Sequence, residues 1–177
     1  MKGLSVIIGS ILLWSQIVSA QSTSSVSVSI TLPSIALLDI EPNNSVFTLA
    51  LSNPNEAGDA PNSPTNSSKW LNFTSAVAPS LTRRVTAQMT GTLPTGVSLR
   101  LNTATYAGVG AGTLGTVVSP IYLSASPQTI INGIGGAFTG TGANNGFNLS
   151  FTPEISDFSM LRTQSATVSI IYTLTDN

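Results

Sequence analysis

Few side chains in this sequence can do chemistry, and their spacing narrows what they could do. There is no histidine and no cysteine, so Ser-His and Cys-His nucleophile pairs cannot be built. A Ser-Lys pair would need Lys69, the only lysine besides Lys2; Ser67 and Ser68 adjoin it, but no S-x-x-K spacing occurs. Two carboxylate pairs remain, Asp39 with Glu41 and Glu154 with Asp157. Glycoside hydrolysis needs two carboxyls flanking a cleft, ~5–9.5 Å apart, whereas acids at strand ends are ordinarily solvated turn residues. The expectation is that the protein is not an enzyme.

Phosphate and metal chemistry are equally thin. "GAGTLG" at 110–115 matches G-x-G-x-x-G, but the dinucleotide mechanism needs a strand before the glycines and a helix N-terminus after them. Here "TVVSP" follows, a β-type run closed by proline, and no acid lies near the expected distance downstream. The run reads as a glycine-rich hairpin loop, and "GIGGAFTGTG" at 133–142 as linking backbone or a bulge. Glu56 and Asp59 could lend hard oxygens to Ca²⁺, without any D-x-D-x-D-G pattern around them. No cofactor or metal is expected.

Aromatic platforms for sugars are the next option. Trp70 and Phe73 sit in "KWLNFT", with Tyr106 and Tyr122 further on. A Trp on a sandwich strand buries much apolar area, so Trp70 is expected in the core. It and Tyr106 are the aromatics that would meet a glycan if they were exposed beside polar partners.

These residues have to be positioned by strands. Period-2 alternation recurs along the chain and no helical period does. The apolar runs are "SSVSVSITL" (24–32), "SIALLDI" (34–40), "SVFTLAL" (45–51), "RRVTAQM" (83–89), "GVSLRL" (96–101), "IYL" (121–123), "QTII" (128–131), "FNLSF" (147–151) and "ATVSIIYTL" (166–174). Turn residues such as Leu93-Pro94-Thr95-Gly96 and Asn144-Asn145-Gly146 punctuate them. About eight or nine short strands so spaced predict an all-β fold, a single antiparallel β-sandwich of immunoglobulin-like or pilin-like type. Residues 52–68, "SNPNEAGDAPNSPTNSS", read as a long exposed loop.

The first 20 residues have the parts of a secretory signal: Lys2, an apolar run from Leu4 to Leu13, and the small-residue site Val18-Ser19-Ala20. The apolar run is shorter than the ~20 residues of a spanning helix. Residues 21–177 are then one domain, expected outside the cell or at its surface, after periplasmic transit if the source is Gram-negative. Six basic and seven acidic residues give a formal net charge of −1. That is too little basic charge for the counterion release that drives nucleic-acid binding. A neutral, hydroxyl-rich surface suits a protein that meets other surfaces.

The leader, the alternating "SSVSVSITL", the Gly/Asn/Thr-rich body and the closing "SATVSIIYTLTDN" resemble secreted bacterial β-sandwich surface proteins. The last strand is similar to the ends of spore-coat-U/Csu-type pilins and of WxL-type surface domains, and the body to uncharacterised secreted proteins of Bacteroidota. Two features depart from those patterns: those pilins commonly carry disulfides, and "KWLNFT" sets Trp and Leu side by side. The pilin resemblance implies donor-strand complementation, with an extended N-terminal segment filling a groove in the next subunit. Val26, Val28, Ile30 and Leu32 would be the donor's apolar face, ending at Pro33; the same residues could instead be the first strand of the chain's own sandwich. The expected function is a secreted structural or adhesive subunit, self-associating or binding other surface proteins. The alternatives are an extracellular carbohydrate-binding module and, after it, a secreted hydrolase.

Overall fold

The computed structural model describes residues 21–118 and 120–177, so the expected leader, residues 1–20, lies outside the described residues. The chain divides into two units, residues up to Thr31 and Leu32–Asn177. In the first unit, residues 21–31 form no strand and are exposed. The second carries every strand found among the described residues: β1 (Ile35–Glu41), β2 (Asn66–Ala76), β3 (Arg83–Thr90), β4 (Val97–Thr103), β5 (Ala111–Gly112), β6 (Thr116–Val117), β7 (Ile121–Tyr122), β8 (Gln128–Ile134), β9 (Ala137–Phe138), β10 (Phe147–Ile155) and β11 (Ser169–Asp176). No helix among the described residues is long and apolar enough to cross a membrane.

The strands make two antiparallel sheets. The larger runs β5-β9-β2-β10-β4-β7, with β1 also on β2, and the smaller runs β11-β3-β8-β6. The expected all-β sandwich is what forms. Its core follows from alternation: Leu71 and Phe73 of β2, Leu99 and Leu101 of β4, and Phe147, Leu149 and Phe151 of β10 face Val85, Ala87 and Met89 of β3 and the isoleucines of β8. Each fully buried Leu, Ile or Phe contributes about 1.5–3 kcal/mol of transfer free energy.

Two backbone details make that core close. Ile130 and Ile131 are consecutive yet both fully buried, although neighbours on a regular strand face opposite ways. The β3–β8 ladder slips between Val85/Thr86 on one side and Ile131/Thr129 on the other, so one residue of β3 faces two of β8 and both isoleucines turn inward. The other detail is in the "GAGTLG" run. At Gly112 a Cβ would lie 2.2 Å from the Gly136 carbonyl oxygen, so glycine is what lets β5 approach β9.

The alternating runs at 34–40, 83–89, 96–101, 121–123, 128–131, 147–151 and 166–174 became β1, β3, β4, β7, β8, β10 and β11 with shifted ends. Three expectations need correction. Residues 24–32 and 45–51 form no strand, and the long loop ends before Asn66 rather than at Ser68, where β2, the longest strand, begins. β2 alternates poorly because polar residues are buried in it, each with a distant partner. Lys69 Nζ donates to the Asn43 carbonyl (2.7 Å) and Oδ1 (3.0 Å). Asn72 Nδ2 donates to the Gly142 carbonyl (3.0 Å).

Arg83 of β3, itself buried, closes one end of the sandwich. Its guanidinium donates to Asp176 Oδ1 of β11 (2.7 Å), Ser34 Oγ (2.9 Å), Ser75 Oγ and the Ala76 carbonyl of β2 (both 3.3 Å), and the Ile35 carbonyl of β1. One side chain thus ties four strands at the edge where β1 and β11 meet.

Candidate functional site

The residues singled out from sequence fall into three places. The first is the N-terminal segment. Val26, Val28, Ile30 and Leu32 are 87%, 76%, 89% and 75% exposed. Four large apolar side chains at i, i+2, i+4 and i+6 would share one face of an extended chain. None of them is in a strand.

The second place is the edge of the sandwich shared by β1 and β11. Among the described residues β1 pairs only with β2, in register from Ile35↔Ala76 to Glu41↔Trp70. Among them β11 likewise pairs only with β3, from Ser169↔Thr90 to Asp176↔Arg83. The inward row of β11 and its approach, Val168, Ile170, Tyr172 and Leu174, packs on the core but stays half-buried. On β3 the matching row is buried. The Tyr172 hydroxyl is buried with no hydrogen-bond partner among the described residues, and desolvation pushes its pKa far above the ordinary tyrosine value.

Between β1 and the loop lies "SVFTLAL". Phe47, Leu49 and Leu51 are half-buried while Val46, Thr48 and Ala50 are exposed, and the Phe47 ring centroid is 5.0 Å from that of Phe151. The segment has a strand's alternation without a strand's pairing. Among the described residues, no hydrogen bond involves the backbone of residues 46–51. Its ends are held, at Asn43 by the Lys69 ammonium and at Ser52 by a two-residue bridge to Asn62.

The third place is the outer face of the larger sheet. Trp70 is there, half-buried, and not in the core as expected. The register of β2 gives the reason: Leu71 and Phe73 take the inward positions, so Trp70 points outward between its pairing partners Glu41 and Asn148. Tyr106 turns the other way. Its ring lies 5.7 Å from Phe147, and its hydroxyl donates to the Thr139 carbonyl (3.0 Å) and accepts from the Gly110 N–H. Tyr122, 54% exposed, donates to Glu154 Oε2 (2.8 Å), whose Oε1 takes the Arg100 Nε–H. The tyrosine and then the arginine hold the Glu154 carboxyl below the usual glutamate range. The same bond raises Tyr122 above the usual phenol range. Ser98, Ser156 and this pair line an open hollow of ≈ 330 Å³.

The carboxylates serve separate local tasks. Glu41 Oε1 accepts the Gly142 N–H (3.2 Å) beside a hollow of ≈ 270 Å³ that Asp39 and Asn72 also line. Asp157 caps a short 3₁₀ turn, accepting from Ser159 N (2.9 Å) and Oγ (2.7 Å), and these bonds keep its carboxyl below the usual aspartate range. Glu56 and Asp59 share a turn in the exposed loop. Among the described residues no three His, Cys, Asp or Glu side chains form a group that could hold a metal.

Sequence reasoning missed the Arg83 network and the Tyr122–Glu154–Arg100 cluster. Their partners are up to 93 residues apart, and no local pattern announces them. Comparison of the chain with protein families, with curated proteins and with solved structures finds no match.

Proposed function

We propose that this protein is a secreted cell-surface structural or adhesive subunit that polymerises by β-strand addition, with residues 24–32 as the donor strand. The observation that carries the reading is the exposure of Val26, Val28, Ile30 and Leu32 on a segment with no strand of its own. An uncharged, alternating, unpaired segment is an aggregation hazard that soluble proteins ordinarily cover or charge. A use for it in pairing with another chain accounts for its survival. Burying those four side chains contributes about 1.5–3 kcal/mol each. Ordering nine residues costs about 1–2 kcal/mol per residue of backbone, so main-chain hydrogen bonds to an acceptor edge must supply the rest. That is the division of labour in β-augmentation: backbone for affinity, alternate pockets for specificity.

A carbohydrate-binding module is the second reading, and one observation favours it. Trp70 lies on the outer sheet face beside Asn148 and Glu41, with exposed Tyr122 on the same face. Aromatic faces flanked by amides and carboxylates suit sugar stacking.

The test compares residues 21–177 with a chain beginning at Pro33, by size-exclusion chromatography and negative-stain microscopy. Strand addition requires filaments or ladders from the longer chain and a folded monomer from the shorter. A monomeric longer chain rejects polymerisation and leaves the glycan reading.

A further inference from the structure

We infer that residues 45–51 are a placeholder strand, occupying in the monomer the position on the core that residues 24–32 of a second copy take in the assembly. The inference rests on the strand-addition reading and adds to it where the donor goes and what it displaces.

The first ground is the mismatch between the segment's side chains and its backbone. Phe47 and Leu49 pack on the core, and half-buried Phe47, Leu49 and Leu51 alternate with exposed neighbours as strand residues do, yet residues 46–51 make no main-chain hydrogen bond among the described residues. Half-buried backbone without partners is costly wherever water cannot replace them. A segment attached through its side chains alone, and fastened only at Asn43 and Ser52, can leave without breaking a ladder.

The second ground is the edge of the sandwich that β1 and β11 share. Arg83 joins Ile35 to Asp176, so β1 and β11 close the same edge of the sandwich. Beyond Glu41 the covering of the core passes to Phe47 and Leu49. On β11 and its approach Val168, Ile170, Tyr172 and Leu174 remain half-buried, and among the described residues the Tyr172 hydroxyl has no partner. Such a row would be completed by a strand hydrogen-bonded to the free edge of β11.

The third ground is the fit of the occupant. The donor segment "SSVSVSITL" and the placeholder "SVFTLAL" share their pattern: alternating apolar side chains, no charge, no internal proline. β11 offers no unmatched charge either, since its one acid, Asp176, is engaged by Arg83. Nine residues of donor match the eight of β11. A donor that buries four apolar side chains and also makes a ladder outcompetes a segment that half-buries three and makes none.

The full chain has no cysteine, so a single Leu49→Cys thiol reports on the placeholder. Its labelling rate is compared in the monomer and in the assembled material, with hydrogen exchange of residues 169–176 followed in parallel. On assembly, labelling should rise several-fold toward that of a free thiol, and the β11 amides should gain protection. A Val28→Asp/Ile30→Asp chain should remain monomeric with slow labelling at every concentration. Assembly with labelling unchanged or slower overturns the placeholder and leaves strand addition standing. Assembly without new protection in β11 overturns the docking edge and the inference with it. A chain that stays monomeric throughout overturns both readings. If Leu49→Cys does not fold, Leu51→Cys carries the same readout.

Discussion

Replacing Arg83 separates two accounts of what holds the end of the sandwich. The guanidinium has one charged partner, Asp176, and four neutral ones on β1, β2 and Ser34. The Arg83 side chain is 7% exposed and that of Asp176 is 67% exposed, so the ion pair itself is screened and contributes about 0–1 kcal/mol. The neutral partners matter more. Arg83→Met keeps the volume of the stem but removes the guanidinium donor from the Ile35 carbonyl and the Ser75 hydroxyl, while the Ala76 carbonyl keeps the Ser34 hydroxyl (3.2 Å). An acceptor that loses its donor where water cannot replace it, as at the buried Ser75, costs about 1–3 kcal/mol, offset in part because the guanidinium no longer has to be desolvated. The expected loss is about 2–4 kcal/mol, a large share of a domain stability of roughly 5–15 kcal/mol. Urea unfolding followed by Trp70 fluorescence should show the midpoint falling by about 1–2 M at unchanged slope, for a slope near 2 kcal/mol/M. Asp176→Asn should move it by less than about 0.5 M. If Asp176→Asn costs as much as Arg83→Met, or if 1 M salt abolishes the difference, the bonds to neutral acceptors are not what closes this end.

Other consequences can be measured independently. Phe151, 2% exposed with its ring tilted against that of Phe47, should cost about 3–5 kcal/mol on replacement by Ala, read from the same unfolding curves. The Glu154 carboxyl is held below its ordinary value of 4.5 by Tyr122 and Arg100. The small stability this gives is present above that value and is lost as pH falls through the folded pKa, so Glu154→Gln should flatten the acid side of the pH–stability profile. An unchanged profile would show the carboxylate to be free in solution. Trp70 should be quenched by acrylamide in the folded protein, as an outward, half-buried indole requires; a fully shielded, blue-shifted emission would contradict its position.

How much of this was legible in the sequence depends on what each residue reports. Alternation found β1, β3, β4, β10 and β11 because one face of each meets the core and the other meets water. It missed β2 because Lys69, Asn72 and Ser75 are buried there on the strength of Asn43, Gly142 and Arg83, partners that only the folded chain brings near. It placed Trp70 inside because a tryptophan's size speaks for burial, while strand register, set by Leu71 and Phe73, decides which way it points. At Ile130-Ile131 a bulge overrode period two. At 24–32 and 45–51 the alternation is present and the partner strand is not. Pattern reports a capacity to pair; it does not report with whom.

The position of the Arg83 tie has a mechanical meaning. Residues 24–32 join the sandwich through Pro33 and Ser34, and Ser34 and Ile35 are the residues Arg83 grips. A pull on the N-terminal segment therefore reaches the domain first at the tie that binds β1, β2, β3 and β11 together. Behind the tie stand the seven registered pairs of β1 on β2. Tension directed along β1 loads those pairs in shear, all at once, instead of peeling them one by one. In a fibre strung through its N-terminal segments, each link would be anchored at a tie of four strands backed by a ladder loaded in shear.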